Sequence, residues 1–159
     1  MIRFKLNLET TEKLERLTKL YRFKYETVTM RIAFAISLSN DKVFQDNDQD
    51  NGKDGREFSP TSNVFGRYIN DEDNESIYYA VLCQHYSKVL SNVEFANLYK
   101  LHLSDGLHHW SEQLKTTNTI SGGHVKYLAK IFNKGLSQKP AFVHTASTET
   151  KIEVSEFKE

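Results

Sequence analysis

Residues 2–8 read Ile-Arg-Phe-Lys-Leu-Asn-Leu, a strict alternation of apolar and polar side chains. Side chains two residues apart lie on the same face of a β-strand, so this alternation predicts a half-buried strand. The apolar positions form its inner face, and the polar residues Arg3, Lys5 and Asn7 form its outer face. The N-terminal segment is therefore expected to be a short strand that presents basic side chains outward.

Two helices are predicted directly after this strand. Thr10 and Thr11 supply oxygen atoms that can cap a helix N-terminus, and apolar residues then recur every three or four positions as far as Tyr21. A polar turn over residues 22–26 leads to a second helix, which Thr27 can cap. Because the second helix is apolar on more than one side, we expect it to be buried.

The order strand, helix, short turn, helix is that of ribbon-helix-helix DNA-binding proteins, in which the strands of two subunits pair into a ribbon. Further helices are predicted over residues 75–90, 93–103 and 107–114, with Asp105-Gly106 as the stop before the last of these. The sequence thus predicts a mainly α protein: an N-terminal strand followed by a helix bundle, with a ribbon-helix-helix-like start.

The remaining segments define the domain. Residues 40–58 are rich in Asp, Asn, Gln and Gly and predict a long, solvated acidic loop. A final helix follows Gly123 and runs to about Leu136, with an inner face formed by Val125, Leu128, Ile131 and Phe132. We expect a single helical domain over residues 1–136 and a flexible C-terminal tail over residues 137–159.

The charges are unevenly distributed although the formal net charge is zero. Residues 1–31 carry a net charge of +4, residues 32–75 carry −6 and residues 76–136 carry +3. Lysines four residues apart on the last helix share one face. The candidate DNA-binding residues are Arg3, Lys5, Asn7, Lys13, Lys19, Arg22, Lys24, Lys126, Lys130 and Lys134. The alternative for each basic group is that it only solvates an exposed surface.

Metal sites and catalytic sites are not expected. Asp46, Asp48, Asp50, Gly52, Asp54 and Glu57 fall in an EF-hand-like register, but Asn51 replaces its turn glycine, so an acidic loop without calcium is favoured. His102, His108 and His109 lack a spacing that puts a ligand set on one helix face. No nucleophile, phosphate-loop or zinc-protease motif is visible, so we expect no cofactor and no enzymatic activity.

The expected compartment is the cytoplasm. Cys83 is the single cysteine, so an internal disulfide is excluded, and a lone cysteine in a helix is usually core filler. No apolar stretch approaches the roughly 20 residues that span a bilayer, so no membrane association is expected. No apolar signal-peptide core follows Met1.

Several stretches together resemble one protein family. They are Met30–Leu38, Asp54–Phe58, Asn63–Tyr68, Tyr78–Leu82 and His102–Leu107, so the resemblance covers roughly residues 2–136. The pattern is similar to that of the DndE family of bacterial DNA sulfur-modification (phosphorothioation) proteins. The resemblance implies a helical, non-catalytic accessory subunit that binds duplex or nicked DNA. Its partners would be the ATPase and sulfur-transfer subunits, and family members can form homo-oligomers up to tetramers.

The turn over residues 22–26 lacks the glycine that the family pattern has, so a helix packing or oligomer geometry different from the family's is expected. The alternative function is that of a scaffold subunit, which docks on the ATPase and sulfur-transfer partners through apolar helices without direct contact with DNA.

Overall fold

The computed structural model describes residues 3–45, 48, 54–58, 64–66, 74–117 and 123–137. Its elements within these ranges are β1 (Phe4–Lys5), α1 (Leu8–Leu20), α2 (Glu26–Ser39), β2 (Glu57–Phe58), α3 (Glu75–Tyr86), α4 (Asn92–Thr117) and α5 (Gly123–Ser137). The predicted fold class is confirmed: an N-terminal strand leads into two helices of a mainly α protein. None of the described helices is long and apolar enough to cross a membrane.

Strand β1 finds its partner within the same chain. It pairs antiparallel with β2, with Phe4 opposite Phe58 and Lys5 opposite Glu57. The sequence places residues 57 and 58 in the acidic loop, and this boundary is wrong. The reason is Phe58, which is buried and stacks on Phe4 with 5.6 Å between the ring centroids. Aromatic burial of this kind outweighs the acidic character of the preceding residues.

Helix α1 begins earlier than predicted, because Asn7 and not a threonine caps it. The Asn7 side-chain oxygen accepts a hydrogen bond of 2.7 Å from the Thr10 amide. Thr10 and Thr11 lie inside the helix and are buried. The Thr10 hydroxyl instead bonds to the Ser104 hydroxyl of α4 at 2.9 Å, a contact that no local pattern reveals.

Helix α4 is continuous through Gly106, where the sequence predicts a stop. It packs most extensively against α2 and also contacts α1, α3, α5 and β1. A Cβ atom at Gly106 would lie 1.8 Å from the Ala33 carbonyl oxygen of α2. Gly106 is therefore required by the close approach of two helices and does not end one. The largest completely buried side chains include Trp110, Tyr99 and Phe95 of α4, Leu14 of α1 and Met30 of α2.

Two local features end α3 and begin α4. Helix α3 ends at Tyr86, four residues earlier than predicted, because Ser87 adopts a left-handed conformation with φ 51°. Ser91 and Glu94 then form a reciprocal capping box: the Glu94 carboxylate accepts from the Ser91 amide at 2.7 Å, and the Ser91 hydroxyl accepts from the Glu94 amide at 3.2 Å. These bonds, with the Lys88 ammonium, hold the pKa of Glu94 at about 2.

Helix α5 packs on α4 with only part of its predicted inner face. Leu128 and Ile131 are half-buried against the core, as predicted. Val125 and Phe132 are 60% and 58% exposed, so their predicted inward orientation is wrong. The apolar arc of α5 is wider than its contact with α4. The predicted tail, residues 137–159, lies outside the described residues except for Ser137, which ends α5.

Candidate nucleic-acid interface

Of the three polar residues predicted on the outer face of the N-terminal strand, two are exposed and one caps a helix. Arg3 and Lys5 are exposed, and Lys5 lies opposite Glu57 across the β1–β2 pair. Asn7 is half-buried and its side chain caps α1. Arg3 and Lys5 can thus face a ligand, whereas the side-chain oxygen of Asn7 is already used within the fold.

Lys13 is poorly placed for contact with phosphate. Its ammonium group pairs with Glu9 one turn earlier on α1 and also lies 2.9 Å from His108 Nδ1 on α4. The hydrogen bond from Lys13 lowers the pKa of Glu9, which keeps that carboxylate charged. The positive charge of Lys13 is therefore largely compensated within the protein.

Lys19 is exposed in the last turn of α1, and the turn between α1 and α2 presents Arg22 and Lys24 to solvent. This turn is a Schellman motif, in which the Phe23 amide bonds to the Thr18 carbonyl at 3.1 Å and the Arg22 amide bonds to the Lys19 carbonyl at 3.2 Å. Arg22 has φ 54° and occupies the left-handed position that usually belongs to glycine. The glycine missing from this turn is thus replaced by an exposed cation, and the turn geometry is kept.

Aromatic side chains pack the α1–α2 turn and α5 against the same hydrophobic core. Tyr21, at the end of α1, stacks on Phe23 and accepts a 3.1 Å hydrogen bond from the Trp110 indole of α4. Burial, together with the neighbouring Tyr21 phenol, raises the pKa of Tyr127 on α5. Tyr127, like Tyr21 and Phe23, packs against the hydrophobic core. Two basic segments that are about a hundred residues apart in sequence are thus both anchored on this core.

Helix α5 also carries exposed lysines. Lys126 and Lys130, one turn apart, are both exposed. Lys134 lies in the same helix, but its side chain falls outside the described residues. We define the basic end as the exposed residues Lys19, Arg22, Lys24, Lys126 and Lys130.

A cavity of about 960 Å³ adjoins the α1–α2 turn, and it contains two arginines that the sequence analysis missed. Arg31 of α2 is half-buried, and Arg56 precedes β2. The other described lining residues are Glu15, Thr18, Lys19, Lys24, Tyr25, Glu26, Thr27, Glu57, Phe58 and Gly66. Both arginines lie in the stretches that carry the family resemblance, Met30–Leu38 and Asp54–Phe58. The sequence offered one sign of Arg31, which is a charged residue within a largely apolar helix.

A buried polar chain elsewhere resembles a hydrolase triad only in composition. Ser37 donates to Asp105 at 2.7 Å and lies 2.9 Å from His102 Nδ1, while the Tyr86 hydroxyl lies 2.9 Å from His102 Nε2. The Phe44 amide in turn donates to the Tyr86 hydroxyl. These partners assign the protons: Tyr86 donates to Nε2, and Nδ1 donates to the Ser37 oxygen.

This buried series of hydrogen bonds has a structural role. Ser37 and His102 have no exposed surface, and the Ser37 proton points to a carboxylate and not to a base. Burial, reinforced by His85 and opposed by Asp105, lowers the pKa of His102 to about 4, so the imidazole is neutral at pH 7. Among the described residues, no three potential metal ligands come together. Of the residues in the EF-hand-like register, Asp46, Asp50 and Gly52 lie outside the described residues.

Comparison with known proteins identifies the family. The model of the family described as DNA sulphur modification protein DndE matches residues 3–118, which include every element from β1 to α4. Helix α5 lies beyond this match. No curated protein and no solved structure matches the chain significantly. Since the match extends over well more than half of its length, the chain belongs to the DndE family of DNA sulfur modification proteins.

Proposed function

We propose that the chain is a non-catalytic, DNA-binding accessory subunit of a DNA phosphorothioation system. Membership of the DndE family gives the involvement in DNA sulfur modification. The finer role rests on one observation, the exposed cations of α1, the α1–α2 turn and α5, where α1 and α5 both pack on α4. Duplex DNA, intact or nicked, is the ligand that this surface fits.

The physical basis is attraction between the phosphate backbone and exposed cations. Duplex DNA carries one negative charge per roughly 1.7 Å of its axis, and contact with lysines releases condensed counterions. Lys126 and Lys130 lie about 6 Å apart along α5, so both can reach the backbone of one duplex. Contacts of this kind are insensitive to base sequence and sensitive to salt.

The test is fluorescence anisotropy with a labelled duplex at about 50 and 200 mM salt. We expect Lys126→Glu/Lys130→Glu to weaken binding at least about tenfold, because two attractions become repulsions. Lys42→Glu is the matched control. It changes an exposed lysine beyond the C-terminal end of α2, about 21 Å along the helix from the α1–α2 turn. Equal affinities for all three proteins would contradict the proposal.

A scaffold role is the second candidate, and the exposed Val125 and Phe132 favour it. Apolar side chains of this size on a helix face are typical of interaction surfaces. The ATPase and sulfur-transfer subunits, or further copies of this chain up to a tetramer, could cover them. Absence of any duplex binding, with retained co-purification of the partner subunits, would favour the scaffold role over the DNA-binding role.

A further inference from the structure

The cavity beside the α1–α2 turn is lined by a half-buried cation, Arg31 of α2. Within the described residues, the Arg31 guanidinium makes one hydrogen bond, from Nε to the Thr27 carbonyl oxygen at 3.1 Å. None of the ion pairs among these residues involves Arg31. Burial removes part of the hydration of a cation, and an ion pair returns part of that loss. An anion that enters the cavity would pair with Arg31.

The carboxylates of the cavity do not fill this role. Glu26 is held by Arg56 at 2.6 Å. Glu15 and Glu57 also line the cavity, so its rim is of mixed charge and is not a uniformly basic surface. Recognition of an anion therefore depends on the deeper Arg31, with the exposed Lys19 and Lys24 as the rim cations.

The cavity also offers an aromatic wall. Tyr25 is 58% exposed, and the Lys24 ammonium lies 5.1 Å from its ring centroid. Exposed aromatic rings beside cations are surfaces on which nucleobases stack. The volume of about 960 Å³ lies within the range of pockets that hold small organic ligands. A guanidinium for phosphate and an aromatic ring for a base together indicate a nucleotide.

We propose that this cavity binds a nucleotide, with its phosphate on the Arg31 guanidinium and its base against Tyr25. The inference rests on the proposed function, because a DNA strand is the expected source of the nucleotide. A free mononucleotide offers the same chemistry. Paired bases inside a duplex cannot reach Tyr25 in this way, so the site would take a nucleotide that is unstacked from its neighbours.

The experiment is isothermal titration with three probes: inorganic phosphate, thymidine 5′-monophosphate and 5′-phosphorylated pentathymidylate. We expect both nucleotides to bind more tightly than phosphate. Arg31→Met, which keeps the side-chain length and removes the charge, should weaken nucleotide binding at least about tenfold. Tyr25→Ala should weaken binding of the nucleotides but not of phosphate, and it removes no side-chain cap from α2. Arg16→Gln, at an exposed position outside the cavity lining, is the matched control.

Two results would overturn the proposal. One is that no probe binds at millimolar concentration. The other is that Arg31→Met binds both nucleotides as the unmodified protein does and melts at the same temperature. If Arg31→Met fails to fold, the double variant Lys19→Gln/Lys24→Gln is used instead, because both lysines are exposed. About fivefold weaker nucleotide binding by this variant supports the cavity proposal, and unchanged binding overturns it.

The probes also separate this inference from the proposed function. Tighter binding of pentathymidylate than of the monophosphate identifies a strand as the ligand, and equal binding identifies a free nucleotide. If duplex binding depends on Lys126 and Lys130 but nucleotide binding does not depend on Arg31, the cavity proposal is wrong and the proposed function is retained. If nucleotide binding depends on Arg31 but duplex binding does not depend on Lys126 and Lys130, the cavity is retained and the duplex-binding surface is wrong.

Discussion

The α2–α4 crossing and the basic end of the molecule are built in opposite ways. At the crossing, Gly106 lets two backbones approach closely, and the buried Ser37 and His102 are each held by two partners. At the basic end, four lysines and one arginine on α1, the α1–α2 turn and α5 are exposed to solvent. The crossing fixes the positions of the helices, whereas the basic end leaves its charges available. Stability and binding are thus expected to depend on separate residues.

The largest expected effect is on the crossing itself. Gly106→Ala places a methyl group against the Ala33 carbonyl, and neither backbone can move without displacing its helix. We expect a loss of about 3 kcal/mol or more in the free energy of unfolding, measured by urea denaturation followed by circular dichroism. Ala80→Ser, at an exposed position of α3, adds one heavy atom and should change little. A Gly106→Ala protein of normal stability would show that the helices are not in close contact there.

The second effect is a pH dependence that originates at His102. Its pKa is about 4 in the folded protein against 6.5 for the ordinary side chain, so the unfolded chain binds the proton more tightly. Stability is therefore complete above pH 6.5 and falls as the pH approaches 4, by on the order of 3 kcal/mol from this group. His102→Gln should be less stable at pH 7, and its deficit should shrink toward pH 4.5.

Tyr86→Phe is the control for this titration. It removes the hydroxyl that donates to His102 Nε2 and keeps the titrating imidazole. We expect a loss of about 1 kcal/mol with the pH dependence preserved. A His102→Gln deficit that stays constant between pH 7 and 4.5 would mean that protonation of His102 is not coupled to unfolding.

The smallest effect on stability is expected at the basic end. Lys126→Ala/Lys130→Ala should change the free energy of unfolding by less than about 0.5 kcal/mol, because both side chains are exposed. The same protein should show a salt dependence of duplex binding that is shallower by about two counterions. A stability loss above about 1 kcal/mol with an unchanged salt dependence would assign these lysines to packing and not to binding.

The parts of the fold that sequence periodicity determines were predictable. Alternation of period two gives β1, and apolar spacing of three to four gives α1 and α2. The family resemblance rested on stretches between Met30 and Leu107 and is confirmed by the family match, which covers residues 3–118. The capping box of Ser91 and Glu94 was also predictable, because the two residues have the Ser-x-x-Glu spacing of such boxes, but it was not predicted.

Other features depend on contacts that no local pattern contains. A glycine at a helix end and a glycine at a helix crossing look alike in sequence, and only Ala33 of α2 distinguishes Gly106. Thr10 looks like a cap until Ser104 is known to be its partner. The cavity escaped prediction because α1, α2 and the β2 segment each supply only part of its lining. The exposure of apolar side chains on α5 could not be predicted, because amphipathicity gives the width of an apolar face but not how much of it a neighbouring helix covers.

The hydrogen bond from the Phe44 amide to Tyr86 has a consequence for how the chain tolerates change in length. It anchors one end of the acidic segment on the helices, and the bond from the Leu6 amide to the Arg56 carbonyl, at 3.0 Å, anchors the other beside β1. With both ends fixed, lengthening the chain between Phe44 and Arg56 costs closure entropy of about 0.6 kcal/mol for each doubling of length. A fluorescent label or affinity tag inserted there would report on the subunit while leaving the crossing and the basic end unchanged.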